Sequence, residues 1–220
     1  MLDARGGFVK FQAVPMDERP TVEVRDLRRS DTDAAVALLA RGMRDNPLNV
    51  AVYGSDPERR QRSLERTFGT LFRVFDAQRP ICALDRGMLV AVTGVAPAGT
   101  CQPTTLQRLR SLPSMIAIGP GPATRVLKVL AAWGERDPDQ PHSHLGPLAV
   151  DKHLQGRGIG SQVMNQYCRR LDLSSEVGYL ETDKQENVPF YERHGYAVSD
   201  QADVIGVPNW FMIRQPRSPA

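Results

Sequence analysis

The stretch Leu145-Gly146-Pro147-Leu148-Ala149-Val150-Asp151-Lys152-His153-Leu154-Gln155-Gly156-Arg157-Gly158-Ile159-Gly160-Ser161 decides how this chain folds. Leu145 to Val150 is an apolar run of the length a buried strand uses. From Gly158 to Leu171, Ile159, Val163, Met164, Tyr167 and Leu171 recur at helical spacing. Between strand and helix lies Gln155 to Ser161, with glycine at 156, 158 and 160. A helix leaves its first backbone N–H groups without intrahelical partners, and its N-terminus carries roughly half a positive charge. Glycines without Cβ atoms let a bulky anion approach that end, and a diphosphate is the natural occupant. Hydrogen bonds to charged groups contribute roughly 1.5–3 kcal/mol each, so several converging N–H groups can anchor one. Arg157 adds a cation beside the loop.

The same glycines also suit a tight strand-to-helix turn that binds nothing. A P-loop is excluded, because no Gly-Lys pair occurs in the chain. A dinucleotide loop needs Gly-x-Gly-x-x-Gly, but the last position is Ser161 when counted from Gly156 and Val163 when counted from Gly158. Glu181 lies about where such folds put a ribose-binding acid, which keeps a nicotinamide-dependent oxidoreductase open as an alternative.

Working outward, Gly178 to Thr182 reads as the next strand, Val188 to His194 as a short helix and Trp210 to Arg214 as the last strand. Upstream, Ile81 to Leu84 and Met88 to Val95 flank Asp85-Arg86-Gly87, the pattern of an antiparallel hairpin. Thr21 to Leu27 alternates as a first strand, and Ser30 with Asp33 suggests a capping box before the stripe Ala35, Leu38, Leu39 and Met43. Asp56 before Pro57 starts a second helix carrying Leu64, Phe68, Leu71, Phe72 and Phe75. Arg59, Arg60 and Arg62 beside Glu58 and Glu65 suggest an exposed helix face. Pro97 to Pro141 holds helices near 104–116 and 122–133 and is the expected specificity element. Residues 1–20 read as an extension, 21–215 as a single domain and 216–220 as a tail.

A chain of 220 residues with 41% hydrophobic side chains can bury a sizeable core. Its 28 basic and 25 acidic side chains are interspersed, and the net charge of +3 argues against nucleic acid or an anionic membrane as partner. Cys82, Cys101 and Cys168 have no Cys-x-x-Cys spacing, so no disulfide framework or metal site is expected, and a cytoplasmic setting fits. Cys168 is expected in the core. The N-terminus lacks a secretory h-region, and no run of about 18 apolar residues could span a bilayer.

Gln155-Gly156-Arg157-Gly158-Ile159-Gly160 resembles the Gln/Arg-x-x-Gly-x-Gly/Ala signature of the GNAT superfamily of acetyl-CoA-dependent N-acyltransferases. Leu145 to Asp151 resembles that family's fourth strand, and Asn187-Val188-Pro189-Phe190-Tyr191-Glu192-Arg193-His194-Gly195-Tyr196 its downstream signature. The resemblance implies an α/β (α+β) three-layer fold, with a strongly bent mixed sheet of about six to seven strands flanked by helices. Its fourth and fifth strands splay apart around pantetheine. It further implies that Leu148, Ala149 and Val150 meet the pantetheine arm and that Gln155, Gly156, Arg157, Gly158, Ile159, Gly160 and Ser161 hold the diphosphate. Asn187 would lie on the cofactor's other flank, and the chain could form a homodimer.

Acyl transfer to an amine needs a neutral nucleophile and a proton for the departing thiolate. An alkylammonium group has a pKa near 10.4, so a base must take a proton first. His144, at the start of the fourth strand, and Glu181, on the fifth, are the base candidates. Tyr191 matches the family's usual general acid, with aromatic packing beside Phe190 as its plainer role. The expected activity is transfer from acetyl-CoA to a primary amine, on a small molecule rather than a protein, by direct attack in a ternary complex without a metal. A noncatalytic acyl-CoA-binding regulatory module is the alternative within the same fold.

Overall fold

The computed structural model describes residues 22–75 and 78–217. The expected extension over 1–20, the first residue of the expected domain and the last three of the expected tail lie outside the described residues. Among the described residues seven strands form one sheet in the order β1-β2-β3-β4-β5-β7-β6. These are β1 (Glu23–Asp26), β2 (Ile81–Asp85), β3 (Met88–Ala96), β4 (His142–Val150), β5 (Val177–Thr182), β6 (Ala197–Val204) and β7 (Val207–Arg214). The pairs are antiparallel except β4 with β5. A mixed, mostly antiparallel sheet replaces the parallel one that a nicotinamide-dependent reading requires. The β2–β3 hairpin turns on Arg86 and Gly87, both at positive φ, the two-residue geometry that matches strand twist.

Among the described residues seven α-helices flank the sheet: α1 (Thr32–Met43), α2 (Pro47–Tyr53), α3 (Pro57–Val74), α4 (Thr105–Ile118), α5 (Pro120–Gly134), α6 (Ile159–Ser174) and α7 (Val188–Glu192). Side chains alternate across a strand, so β2 sends Cys82 and Leu84 to one face and Ile81 and Ala83 to the other. The first face packs on Leu38, Leu39, Leu64 and Phe68 from α1 and α3. The second packs on Ile159, Val163, Met164, Tyr167 and Leu171 of α6, with Tyr191 of α7. Cys168 is buried in that second layer, and burial raises its thiol pKa.

Several expectations are corrected. The start of α1 does not use Ser30 and Asp33. Instead Asp31 accepts the Arg28 N–H at 2.9 Å and pairs with Arg25 at 2.7 Å, while Asp33 reaches across to Arg73 at 2.6 Å. Arg60 is not on an exposed face but buried. It donates to the carbonyls of Arg44 and Gly54 and to the Asp45 carboxylate at 2.7 Å, tying the α1 end to the α2–α3 corner. Arg62 stays outside, 3.7 Å from Glu58 one turn back. Strand β6 and helix α2 were not foreseen. Strand β6 exposes the polar residues Ser199, Asp200, Gln201 and Asp203, so its strand signal is weak.

Candidate active site

The ladder between β4 and β5 has three pairs: His142 with Val177, Ser143 with Gly178 and His144 with Tyr179. Beyond them β4 runs on to Val150 and β5 to Thr182 without pairing, so the strands diverge as a fork. On its other edge β4 remains paired with β3 through Leu148, Ala149 and Val150. The β5-facing backbone edge of Leu145 to Val150 is thus open, and it leads directly to the glycine loop.

In that loop Gly156 and Gly158 take φ of 78° and 81°. Gly158 is the N-cap of α6 in the left-handed region and offers no side-chain cap. The first internal bond of α6 runs from the Gln162 N–H to the Gly158 carbonyl at 3.1 Å, which leaves the N–H groups of Ile159, Gly160 and Ser161 available at the helix end. That uncapped terminus fits a bound anion. Gln155 donates its side-chain amide to the Val150 carbonyl at 3.1 Å and so braces the loop. A Cβ at Gly160 would face Val150 and Phe190 at ordinary contact distance, so this glycine lies where α6 packs beside α7. Ile159 is buried in the core, while Arg157 is exposed.

His144 and Glu181 meet at the fork, with Nε2 to Oε2 at 2.7 Å. The other carboxylate oxygen of Glu181 is buried with no hydrogen-bond partner. Burial pulls the His144 imidazole toward its neutral form. The charge of Glu181, hydrogen bonds to Cys101 and Glu181, and the charge of Asp137 outweigh this and raise its pKa to about 10. Tyr179 sets its ring edge-on to both His142 and His144, at 5.2 Å each. His142 bonds the Gln140 carbonyl at 3.0 Å through Nδ1 and lies 3.6 Å from the Cys101 sulfur through Nε2. Cys101 and Asp137 stand at the two feet of the α4–α5 segment, where Gln102 also bonds Asp137.

Tyr191 is buried on α7, with its ring edge-on to Phe190 at 5.2 Å and Tyr196 at 6.2 Å. Among the described residues no hydrogen bond engages its hydroxyl. Burial, and then the charge of Asp183, push its pKa well up, so the phenol stays protonated. Asn187 donates to the Thr182 hydroxyl at 3.4 Å, bridging the β5 end to the start of α7.

The loop, His144, Glu181 and Tyr191 were singled out in the sequence. Cys101, Asp137 and His142 were not. The His142-x-His144 spacing was a usable signal, since alternate strand residues share a face. Cys101 and Asp137 come from distant loops that only the tertiary fold brings in. The donor atoms of Cys101, His142 and His144, and those of Asp137, His144 and Glu181, lie within 4.8 Å of one another. A divalent cation could bridge that spacing, but the short His144–Glu181 bond already satisfies Nε2 as a charged pair.

Residues 125–198 match the family model described as the acetyltransferase (GNAT) domain. The fold is similar to that of a Corynebacterium glutamicum structure described as histone acetyltransferase HPA2 and related acetyltransferase. The TM-score is 0.64 at 17% identity, over 91% of this chain and 99% of that one. An agmatine N-acetyltransferase mutant superposes with TM-score 0.59 at 17% identity, over 88% of this chain and 99% of that one. The Drosophila melanogaster polyamine N-acetyltransferase, which forms N-acetylagmatine, gives 0.56 at 15% identity over 89% and 100%. The matched segment contains the strand fork, the glycine loop and the Tyr191 helix together, and over these residues the chain is similar to the acetyltransferase (GNAT) domain.

Proposed function

We propose that this acetyltransferase moves the acetyl group of acetyl-CoA to a primary amine by direct attack in a ternary complex. The observation that carries the reading is the fork: pairing stops at His144 and Tyr179, and the freed edge of β4 runs into an uncapped helix terminus. Acetyl-CoA supplies an acyl thioester, which is activated toward amines. On this reading the N–H groups near Gly158 to Ser161 hold its diphosphate, with Gly156 and Arg157 beside it. The open edge of Leu148, Ala149 and Val150 pairs with the pantetheine arm as a further strand would. Asn187 borders the arm from the β5 side, and Gln155 keeps the loop in place.

His144 and Glu181 act as one proton acceptor for the amine. Glu181 raises the imidazole pKa toward that of an alkylammonium, which makes His144 a stronger proton acceptor than a free histidine. The unpartnered oxygen of Glu181 gains a donor when an ammonium arrives, which supports a cationic acceptor. Tyr191, buried and protonated, returns a proton to the departing sulfur. The agmatine- and polyamine-acetylating proteins of the same fold make small aliphatic diamines the first acceptors to try.

Product formation from labelled acetyl-CoA across an amine panel tests this. Turnover of at least one small primary amine, lost in Tyr191→Phe with coenzyme affinity retained, is expected. Coenzyme binding with no turnover on any amine would contradict the assignment of the fork as an acetyl-transfer site.

A further inference from the structure

The α4–α5 segment wears its apolar side outward. Of ten large hydrophobic residues exposed among the described residues, six lie here: Leu106, Leu109, Leu112 and Ile116 on α4, and Leu127 and Leu130 on α5, each between 50% and 78% exposed. On α4 the inward residues are Gln107, Ser111, Ser114 and Met115, and Ile118 alone is fully buried. Ser111 and Ser114 spend their hydroxyls on the carbonyls of Gln107 and Arg66. Helices of globular domains turn the apolar stripe to the core and the polar one to water. The reverse order on α4 provides for a surface other than this domain's core, and contiguous exposed apolar area of this kind marks an interaction site.

Charge selects the partner. Between Pro97 and Gly134 the sequence has Arg108, Arg110, Arg125 and Lys128 and no Asp or Glu. At 100° per residue, Arg108 and Arg110 fall on either side of the α4 stripe of Leu112, Ile116, Leu109 and Leu106. Arg108, Arg110 and Lys128 are exposed, and none has a carboxylate partner among the described residues. An apolar ridge flanked by unpaired cations lies well in the boundary between acyl chains and anionic headgroups, with the guanidinium groups reaching out to phosphate. A second copy of this chain would set Arg108, Arg110 and Lys128 against their own kind. No helix among the described residues is long and apolar enough to cross a membrane, so contact would lie in the plane of the surface.

We propose that α4 and α5 form a docking face for an anionic lipid bilayer. The net charge of +3 argued against such a partner because it averages over a chain whose acids lie elsewhere.

Co-sedimentation of the full chain with phosphatidylglycerol-containing and pure phosphatidylcholine vesicles tests the assignment. Binding to the anionic vesicles that weakens with salt is expected. Arg108→Glu with Arg110→Glu should reduce it by about tenfold or more, and Leu109→Ser with Ile116→Ser should reduce it comparably. Those positions are exposed and outside the fork, so acetyl transfer to a soluble amine without vesicles should be unchanged, which separates this proposal from the reading of the active site. No binding to either vesicle, equal binding to both, or binding unaffected by either pair of substitutions would overturn it. So would a concentration-dependent dimer dispersed by Ile116→Ser, which would assign the face to a second copy.

Discussion

His144 and Glu181 sit on neighbouring strands at the last point where these still pair, so they face one another at 2.7 Å before the strands part. Their coupling sets a pH dependence with a definite sign. The folded pKa of His144 is raised from 6.5 to about 10, so the pair's stabilisation is complete below pH 6.5 and is lost as pH rises toward 10. On the proposed mechanism activity runs the opposite way, because the neutral imidazole would be the competent base. The rate at saturating substrate should climb between pH 7 and about 10, and Glu181→Gln should move that rise to lower pH while lowering the maximum. A pH–rate profile of both proteins checks this, and an unshifted profile would remove Glu181 from the base. Tyr191→Phe should lower turnover by about a hundredfold or more, the usual range for general acids, with the coenzyme dissociation constant unchanged. Arg60 belongs to stability alone. Arg60→Ala frees two buried-side carbonyls and Asp45, and unfolding by denaturant should show a loss of about 2 kcal/mol.

The turn into α6 is where sequence and structure agree most closely. Its glycine pattern predicted a strand-to-helix turn with an open helix end, and Gly158, in the left-handed region, starts the helix without a side-chain cap. Gly158→Ala should cost about 1–2 kcal/mol of stability from the left-handed conformation and weaken coenzyme binding as the loop relaxes. Thermal unfolding with and without CoA separates the two effects. A strand, loop and helix close together in sequence were legible because local spacing fixes them. Strand β6 was missed because an edge strand with a polar outer face lacks the apolar alternation that reports a strand. Helix α2 was missed because seven residues carry too little periodicity. Ser30 and Asp33 misled for a different reason: Arg25, placed on β1, draws Asp31 into an ion pair and claims the helix start.

At the scale of the whole molecule, the candidate chemistry and the outward apolar surface lie in different parts. The fork, loop and α7 occupy residues 142–198 and match the family's domain. The α4–α5 segment begins and ends near Cys101 and Asp137, beside the fork, while its apolar stripe faces outward, away from the fork residues. The contacts of Cys101 and Asp137 with His142 could not be read from the sequence, because Gln102 and its partner Asp137 stand 35 positions apart with two helices between them. The account depends most on coenzyme A occupying the open end of α6. Isothermal titration of acetyl-CoA and of free CoA into the folded chain measures this directly. Saturable heat at one site per chain, with no competition from nicotinamide dinucleotides, is the predicted result, and an absence of heat with both coenzyme forms would contradict it.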